Sequence, residues 1–230
     1  MSPGRTLLVL GSGPGIGRSV ATLFASKRYN NVVLIARRAE QLEEEKKAVL
    51  NTVSSQINVR TYAVDVTHTH SLLQALDDAD AAFGKPDVVF YNAARVLPSA
   101  LLTHPVEDVE YDFKINVSAL YIVSQRYIPH LVSLAKAGTS SRPALIVTSS
   151  ALPHHPIPQL FNLSLVKAAQ RNLVQSLNLS YTPEGVHIGV INVAGQVAPE
   201  DEVRNPTRIA AKTWEWFQGA KDKPNFEVMI

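Results

Sequence analysis

Cysteine is absent from the 230 residues of the chain. Its absence removes disulfides, thiolate nucleophiles and thiolate metal ligands together, and it accords with an intracellular protein. Redox chemistry, if there is any, has to come from a bound cofactor. A charge excess is also missing, since 22 Lys and Arg stand against 20 Asp and Glu for a formal net charge of +2. The basic residues are scattered, which excludes a polyanion-binding stripe and a basic membrane-surface helix, so no nucleic-acid partner is expected. No apolar run approaches the roughly 18 residues needed to span a bilayer. No membrane association is expected, and the expected location is the cytoplasm. Met1 to Arg5 leads directly into Thr6-Leu7-Leu8-Val9-Leu10, too short for a secretory apolar core and closed by glycine rather than by a cleavage site. The histidines at 68, 70, 104, 130 and 187 lack metal-ligand spacing with nearby carboxylates, so no metal is expected.

What is present suffices for one sizeable core, with 46% hydrophobic and 18% charged residues, and a single domain over residues 1–230 is expected. Short β-branched runs alternate with helical stretches, the pattern of βαβ units feeding a parallel sheet buried on both faces. Strands are predicted at Thr6 to Leu10, Asn31 to Ala36, Asn58 to Val64, Val88 to Tyr91, Ala144 to Ser149, His187 to Val193 and Phe226 to Met229. Helices are predicted at Ile16 to Lys27, Ala39 to Ser54, Ser71 to Phe83, Val106 to Lys136, Gln159 to Tyr181 and Pro206 to Gln218. The fold class is α/β: a Rossmann-type, doubly wound, mostly parallel seven-stranded sheet with helices on both faces. Gly138 to Pro143 reads as a surface loop, and Pro153, Pro156 and Pro158 stiffen a second loop directly after Ser149-Ser150.

Gly11-Ser12-Gly13-Pro14-Gly15-Ile16-Gly17 falls between the first strand and the first helix. Glycines at 11, 15 and 17 permit a tight turn, let a pyrophosphate approach the backbone and let the helix pack closely on the sheet, while the helix N-terminus faces the phosphate. At the end of the second strand, where a carboxylate would grip an adenosine ribose, the chain has Ala36-Arg37-Arg38. Guanidinium groups there suit a 2′-phosphate, so NADP(H) is favoured over NAD(H); capping of the strand end is the other use of the two arginines. Asp65 is placed either to accept from an adenine amino group or to form a turn with Thr67. Trp214 and Trp216 are read as core packing rather than as the roof of a pocket.

In their order along the chain these residues resemble the short-chain dehydrogenase/reductase family over nearly the whole length. Gly11, Gly15 and Gly17 match its glycine turn, Asp65 its adenine-contacting acid, Asn92-Ala93-Ala94 its Asn-Ala-Gly strand end, and Asn116 its helical active-site asparagine. Ser150 and Lys167 complete the set. The resemblance implies a nucleotide seat formed by Gly11, Ser12, Gly13, Gly15, Ile16, Gly17, Arg37, Arg38, Asp65, Val66, Asn92, Ala93, Ala94, Lys167 and Val193. It further implies that Ser150 holds a substrate carbonyl, that Lys167 binds the nicotinamide ribose and that Asn116 organises a relay water. A homodimer or homotetramer is implied as well, formed through the long helices that carry Asn116 and Lys167.

The resemblance breaks at two points. Four residues before Lys167 and thirteen after Ser150, where the family has its proton-donating tyrosine, the chain has Leu163. After the sixth strand it has Ala194-Gly195 in place of Pro-Gly, followed by Val197-Ala198-Pro199 where a threonine is usual. Both departures fall at the nicotinamide end. His154 and His155, in the loop after Ser150, are candidate substitute acids and otherwise exposed loop residues. Tyr91 is a weaker candidate, because strand alternation aims it away from the face of Asn92. The leading expectation is an NADP(H)-dependent reductase of atypical site acting on a small carbonyl, imine or conjugated alkene. The alternatives are a non-redox cyclase, isomerase or dehydratase on the same scaffold, and a non-catalytic nucleotide-binding protein.

Overall fold

The computed structural model describes residues 4–52, 57–138, 142–219 and 225–230. Seven strands, Thr6–Leu10 (β1), Asn31–Ala36 (β2), Asn58–Ala63 (β3), Val88–Tyr91 (β4), Ala144–Ser150 (β5), His187–Val193 (β6) and Glu227–Met229 (β7), form one sheet in the order β3-β2-β1-β4-β5-β6-β7. Every pairing is parallel. That explains why the central strands read as continuous apolar runs: β1, β4 and β6 are buried at every position, because helices cover both faces.

Alternation along the strands divides the core in two. Leu8, Leu10, Val89, Tyr91 and Val147 face one side, Leu7, Val9, Phe90 and Ile146 the other. The first side is covered by Thr69–Phe83 (α3), Ala119–Lys136 (α5) and Phe161–Tyr181 (α6), the second by Ile16–Lys27 (α1), Ala39–Thr52 (α2) and Pro206–Gln218 (α7). The predicted end of α2 at Ser54 lies outside the described residues, as does half of the Gly138 to Pro143 loop. Trp214 packs edge-on against Phe24, and Trp216 stacks on His187 with ring centroids 3.7 Å apart. Trp216 belongs to the core and the half-buried Trp214 packs against it, in line with the packing role expected of both. Among the described residues no helix is long and apolar enough to cross a membrane, and no cluster of metal-ligating side chains occurs.

One predicted helix differs in form. Val106 to Lys136 is divided into Val106–Phe113 (α4), a π-helical turn at Lys114–Ser118, and α5. Three side chains intrude on the helical ladder there: Asn116 Nδ2 donates to Asp112 O at 2.9 Å, the Tyr91 hydroxyl to Ile115 O, and Gln170 Nε2 to Asn116 O at 2.9 Å. Competition for these carbonyls accounts for the widened turn. Periodicity alone carries no sign of it, since two of the three donors come from β4 and α6.

The strand order reverses between β1 and β4, whose chains leave the sheet in opposite directions and open a crevice at their carboxyl ends. Gly11 turns there at φ +84°, and a Cβ on it would lie 2.4 Å from Ala93 N. A Cβ on Gly17 would lie 2.7 Å from Gly11 O, whereas one on Gly13 or Gly15 would meet no protein atom within 4 Å. Gly11 and Gly17 are thus needed by the fold, and Gly13 and Gly15 leave room on the crevice side. Gly17→Ala is expected to cost about 1–3 kcal/mol through overpacking, and Gly11→Ala more because it adds left-handed backbone strain. Gly13→Ala should stay within about 0.5 kcal/mol of wild type, and denaturant titration of the three variants checks that order.

Candidate active site

The crevice between β1 and β4 continues into a cleft of about 220 Å³ lined by Gly11, Ser12, Ala36, Arg37, Arg38, Gln41, Val64, Asp65, Val66, Asn92, Ala93, Ala94 and Ile115. Most of the expected nucleotide seat is therefore one surface. Its floor is fastened by Asn92 Nδ2 donating to Gly11 O at 2.9 Å, and by the N–H groups of Gly11 and Ser12 donating to Ile35 O at 2.8 and 3.1 Å. Ile16 and Gly17 follow at the start of α1, and Val193 closes β6.

Arg37 and Arg38 are exposed at the rim. Arg37 lies beside Tyr111 and Asp65, whereas Arg18, on the first turn of α1, is held by Glu45 through bonds of 2.7 and 3.0 Å. Glu45 is wholly buried and also accepts from Gln41 Nε2 at 2.6 Å, so this trio joins α1 to α2 behind the cleft. The pattern of charges on α2 gave no sign of it, because Arg18 lies on a different helix. Asp65 makes the turn foreseen as its structural use: Oδ1 accepts from Thr67 N at 2.9 Å and from Thr67 Oγ1 at 2.8 Å. Its Oδ2 accepts from Tyr111 at 2.7 Å. Partial burial opposes ionisation, but these bonds and the Arg37 charge together hold the Asp65 carboxyl below its ordinary value.

At the other end of the crevice, Asn116 and Lys167 are brought together through Gln170. Lys167 Nζ donates to Thr148 O at 2.9 Å and to Gln170 Oε1 at 2.8 Å, and Gln170 Nε2 reaches the Asn116 carbonyl. Burial without an anionic partner pulls the Lys167 amine down to about 7. Gln170 was missed in the sequence, although its place three residues after Lys167 puts it on the same helical face. Ser150 ends β5, its Oγ accepting from Leu152 N at 3.2 Å, which leaves the hydroxyl hydrogen free. Leu163, one turn before Lys167, is buried against Leu152, Val166 and Leu160. Tyr91 turns away from Asn92 as alternation requires, and burial raises its phenol above the ordinary value.

Among the described residues the loop histidines make no hydrogen bond to this cluster. His154 Nε2 lies 3.5 Å from Glu227 Oε2 on β7, and His155 is exposed beside it with ring centroids 6.5 Å apart. Glu227 is also held by Arg171 at 3.1 and 3.2 Å and by Asn192 at 3.1 Å, which anchors β7 to α6 and β6. After β6, Asp201 organises the short connection to α7: it accepts from Val203 N and Arg204 N, while Arg204 reaches Ala194 O at 3.1 Å. A third cluster ties the chain beyond Ala94 to the helices, with Arg95 on Asp112 at 2.6 Å and Asp112 accepting from Asn162 at 2.6 Å.

Ser12 Oγ, Asn116 Oδ1, Thr148 Oγ1 and Ser149 Oγ are among the buried side-chain atoms without a hydrogen-bond partner in the described residues, others of which, such as Thr22 Oγ1, Tyr29 Oη and His130 Nε2, lie elsewhere in the fold. The four named first belong to the glycine loop, the π-turn or the carboxyl end of β5, along the crevice. Orphaned polar atoms of this kind, with the open side of Gly13 and Gly15, fit a polar ligand that lies along the strand ends.

Comparison with known proteins agrees with this geometry. The short chain dehydrogenase family model matches residues 5–205. An uncharacterized oxidoreductase of Bacillus subtilis, YhdF, is 25% identical over 191 residues, which cover 82% of this chain and 62% of that protein. A metagenomic short-chain oxidoreductase in complex with NADP superposes with a TM-score of 0.83 at 21% identity, over 99% of this chain and 96% of that one. An NAD+-bound xylitol dehydrogenase superposes with a TM-score of 0.73 at 21% identity, over 84% of this chain and 72% of that one. With a family match that extends from the first strand to the threshold of the last helix, this chain belongs to the short chain dehydrogenase family.

Proposed function

We propose that the protein is an NADP(H)-dependent reductase with an atypical catalytic end, acting on a small carbonyl, imine or conjugated alkene. The observation that carries the cofactor preference is the pair of exposed guanidinium groups, Arg37 and Arg38, on the rim where β2 ends, with no carboxylate among the residues lining that side of the cleft except the hydrogen-bonded Asp65. Bound there, the dinucleotide would supply a hydride. Gly11 to Gly17 would cradle its pyrophosphate, Asp65 and Val66 would flank the adenine, and Arg37 and Arg38 would receive the 2′-phosphate. Ala93, Ala94 and Val193 would line its path toward Lys167.

At the catalytic end Ser150 would donate its free hydroxyl hydrogen to the acceptor, Lys167 would orient the ribose, and Asn116 would hold the π-turn against them. Leu163 occupies the place of the family's acid and transfers no proton. A general acid is worth about 10²–10⁴ in rate, so ordinary ketones should be reduced slowly. A cationic C=N acceptor escapes that penalty, because hydride addition to it leaves a neutral amine. His154 and His155 are the groups proposed to serve an acceptor that does need a proton. Self-association is proposed through α4, α5 and α6, which leave Val106, Phe113, Tyr121, Leu165 and Leu179 exposed.

Titration followed by nicotinamide fluorescence should give an NADPH affinity about 10–100 times that for NADH, the worth of one or two charge-assisted hydrogen bonds. Replacing both arginines, Arg37→Ala and Arg38→Ala, should erase the difference while sparing NADH binding. Equal affinities in the wild type would remove the proposed preference, and no binding of either nucleotide would remove the reductase reading.

Lys167 adds a pH dependence that can be measured without any ligand. Its amine is lowered to about 7 in the folded protein from an ordinary value near 10.5. The unfolded chain therefore holds the extra proton between those limits, and stability from this group rises with pH across the window and is lowest below pH 7. Lys167→Met should flatten that rise in denaturation midpoints between pH 7 and 10. An unchanged slope would mean that the amine is not desolvated.

A further inference from the structure

Glu45, on α2, has a carboxylate without solvent exposure, and three donors converge on it. Arg18 Nε donates to Oε2 at 2.7 Å, while Arg18 Nη2 and Gln41 Nε2 meet Oε1 at 3.0 and 2.6 Å. Arg18 supplies the counter-charge that a buried carboxylate requires, and its two bonds join α1 to α2. The third bond does something else. It takes hold of Gln41, one helical turn before Glu45, by the nitrogen end of its amide. An ionised carboxylate only accepts, so the amide is fixed with nitrogen toward Glu45 and with its carbonyl oxygen directed elsewhere.

Gln41 is partly exposed and lines the cleft beside Arg37 and Arg38. Its Oε1 accepts from no described residue and does not belong to the buried atoms that lack a partner, so it is accessible. The second hydrogen on Nε2 is likewise unengaged. Of the lining residues from the end of β2 and the start of α2, which are Ala36, Arg37, Arg38 and Gln41, only Gln41 has a side-chain acceptor. Across the cleft both carboxylate oxygens of Asp65 are already occupied, by Thr67 and Tyr111.

We infer that Gln41 is a nucleotide-binding residue whose Oε1, held in place by Glu45, accepts from the 3′-hydroxyl of the adenosine ribose. The inference rests on the reading of an adenosine dinucleotide in this cleft. A 2′-phosphate leaves the 3′-hydroxyl as the one hydroxyl of that ribose able to donate, and NAD(H) carries the same group. A neutral acceptor is suited to the position, because a carboxylate there would repel the neighbouring phosphate. The one carboxylate close by, Glu45, is kept behind Arg18. Gln41 then holds the ribose, Arg37 and Arg38 hold the phosphate, and Glu45 is a positioning residue that acts through Gln41.

The test uses calorimetric titration of the whole chain with adenosine 5′-monophosphate, 3′-deoxyadenosine 5′-monophosphate and adenosine 2′,5′-bisphosphate. Wild type should bind the first about 3–10 times more tightly than its 3′-deoxy analogue, the worth of one hydrogen bond. Gln41→Met should bind those two equally, yet keep the wild-type preference for the bisphosphate over the 5′-monophosphate, which belongs to the arginines. Glu45→Leu, which lets the amide turn, should also lose the discrimination at the 3′-hydroxyl. Equal binding of the two monophosphates by wild type overturns the contact, and so does a Gln41→Met variant that still tells them apart. Weakening confined to the bisphosphate in Gln41→Met overturns it too, because the amide would then serve the phosphate through its free N–H. A folded Glu45→Leu variant with full discrimination overturns the positioning role, and the partly exposed Gln41 carries the test if that variant does not fold. Binding of none of the three ligands removes the dinucleotide reading together with the inference, whereas binding without the 3′-hydroxyl effect removes the inference alone.

Discussion

Two hydrogen bonds from Asn92, Nδ2 to Gly11 O at 2.9 Å and N to Leu10 O at 2.8 Å, fasten together the two strand ends between which the sheet reverses its direction of travel. Everything at the crevice depends on that closeness. Gly11 is within reach of Ala93 only because it has no side chain, and Gly17 packs over the Gly11 carbonyl for the same reason. The arrangement brings the chain segments after β1, β2, β3 and β4 to one surface, so that Ser12, Arg37, Asp65 and Ala94 line a single cleft although they are far apart in sequence.

The two ends of the crevice are built on different terms. At the end proposed to take the adenosine, Arg37 and Arg38 are exposed, and charge is available at the rim. At the proposed catalytic end the cation is buried and held by neutral oxygens, with Leu163 packed one helical turn before it against Leu152, Val166 and Leu160. A buried amine without a counter-charge is destabilising unless it has a function or loses its proton. Gln170 and Thr148 satisfy its hydrogen bonds without restoring a charge. Among the described residues Lys167 thus has no acidic hydrogen-bond partner.

Much of this was legible in the sequence. Continuous apolar runs such as Leu7-Leu8-Val9-Leu10 and Val88 to Tyr91 mark strands buried on both faces, and the glycine loop marks the first turn between strand and helix, so the order of elements and most of their bounds follow from patterning. The sheet is wholly parallel, a stronger result than the mostly parallel one expected. What patterning does not carry is long-range side-chain traffic. The π-turn at Asn116 is imposed by Tyr91 and Gln170 from other elements, Arg18 is taken by Glu45 from the next helix, and His154 is drawn toward Glu227 of the last strand. Asp65 could be read equally as a ligand contact or a turn residue, and its bonds to Thr67 and Tyr111 came into view only once the chain was folded.

The proposed division between an intact nucleotide seat and a catalytic end without an acid is tested most directly by single-turnover oxidation of NADPH with a matched pair of acceptors. A cyclic iminium ion and the ketone of the same ring skeleton would be mixed separately with the NADPH-loaded protein, and loss of nicotinamide absorbance followed. The account predicts that the iminium ion is reduced faster by about 10²-fold or more, the lower worth of a missing general acid. Equal rates, faster reduction of the ketone, or reduction of neither would contradict it.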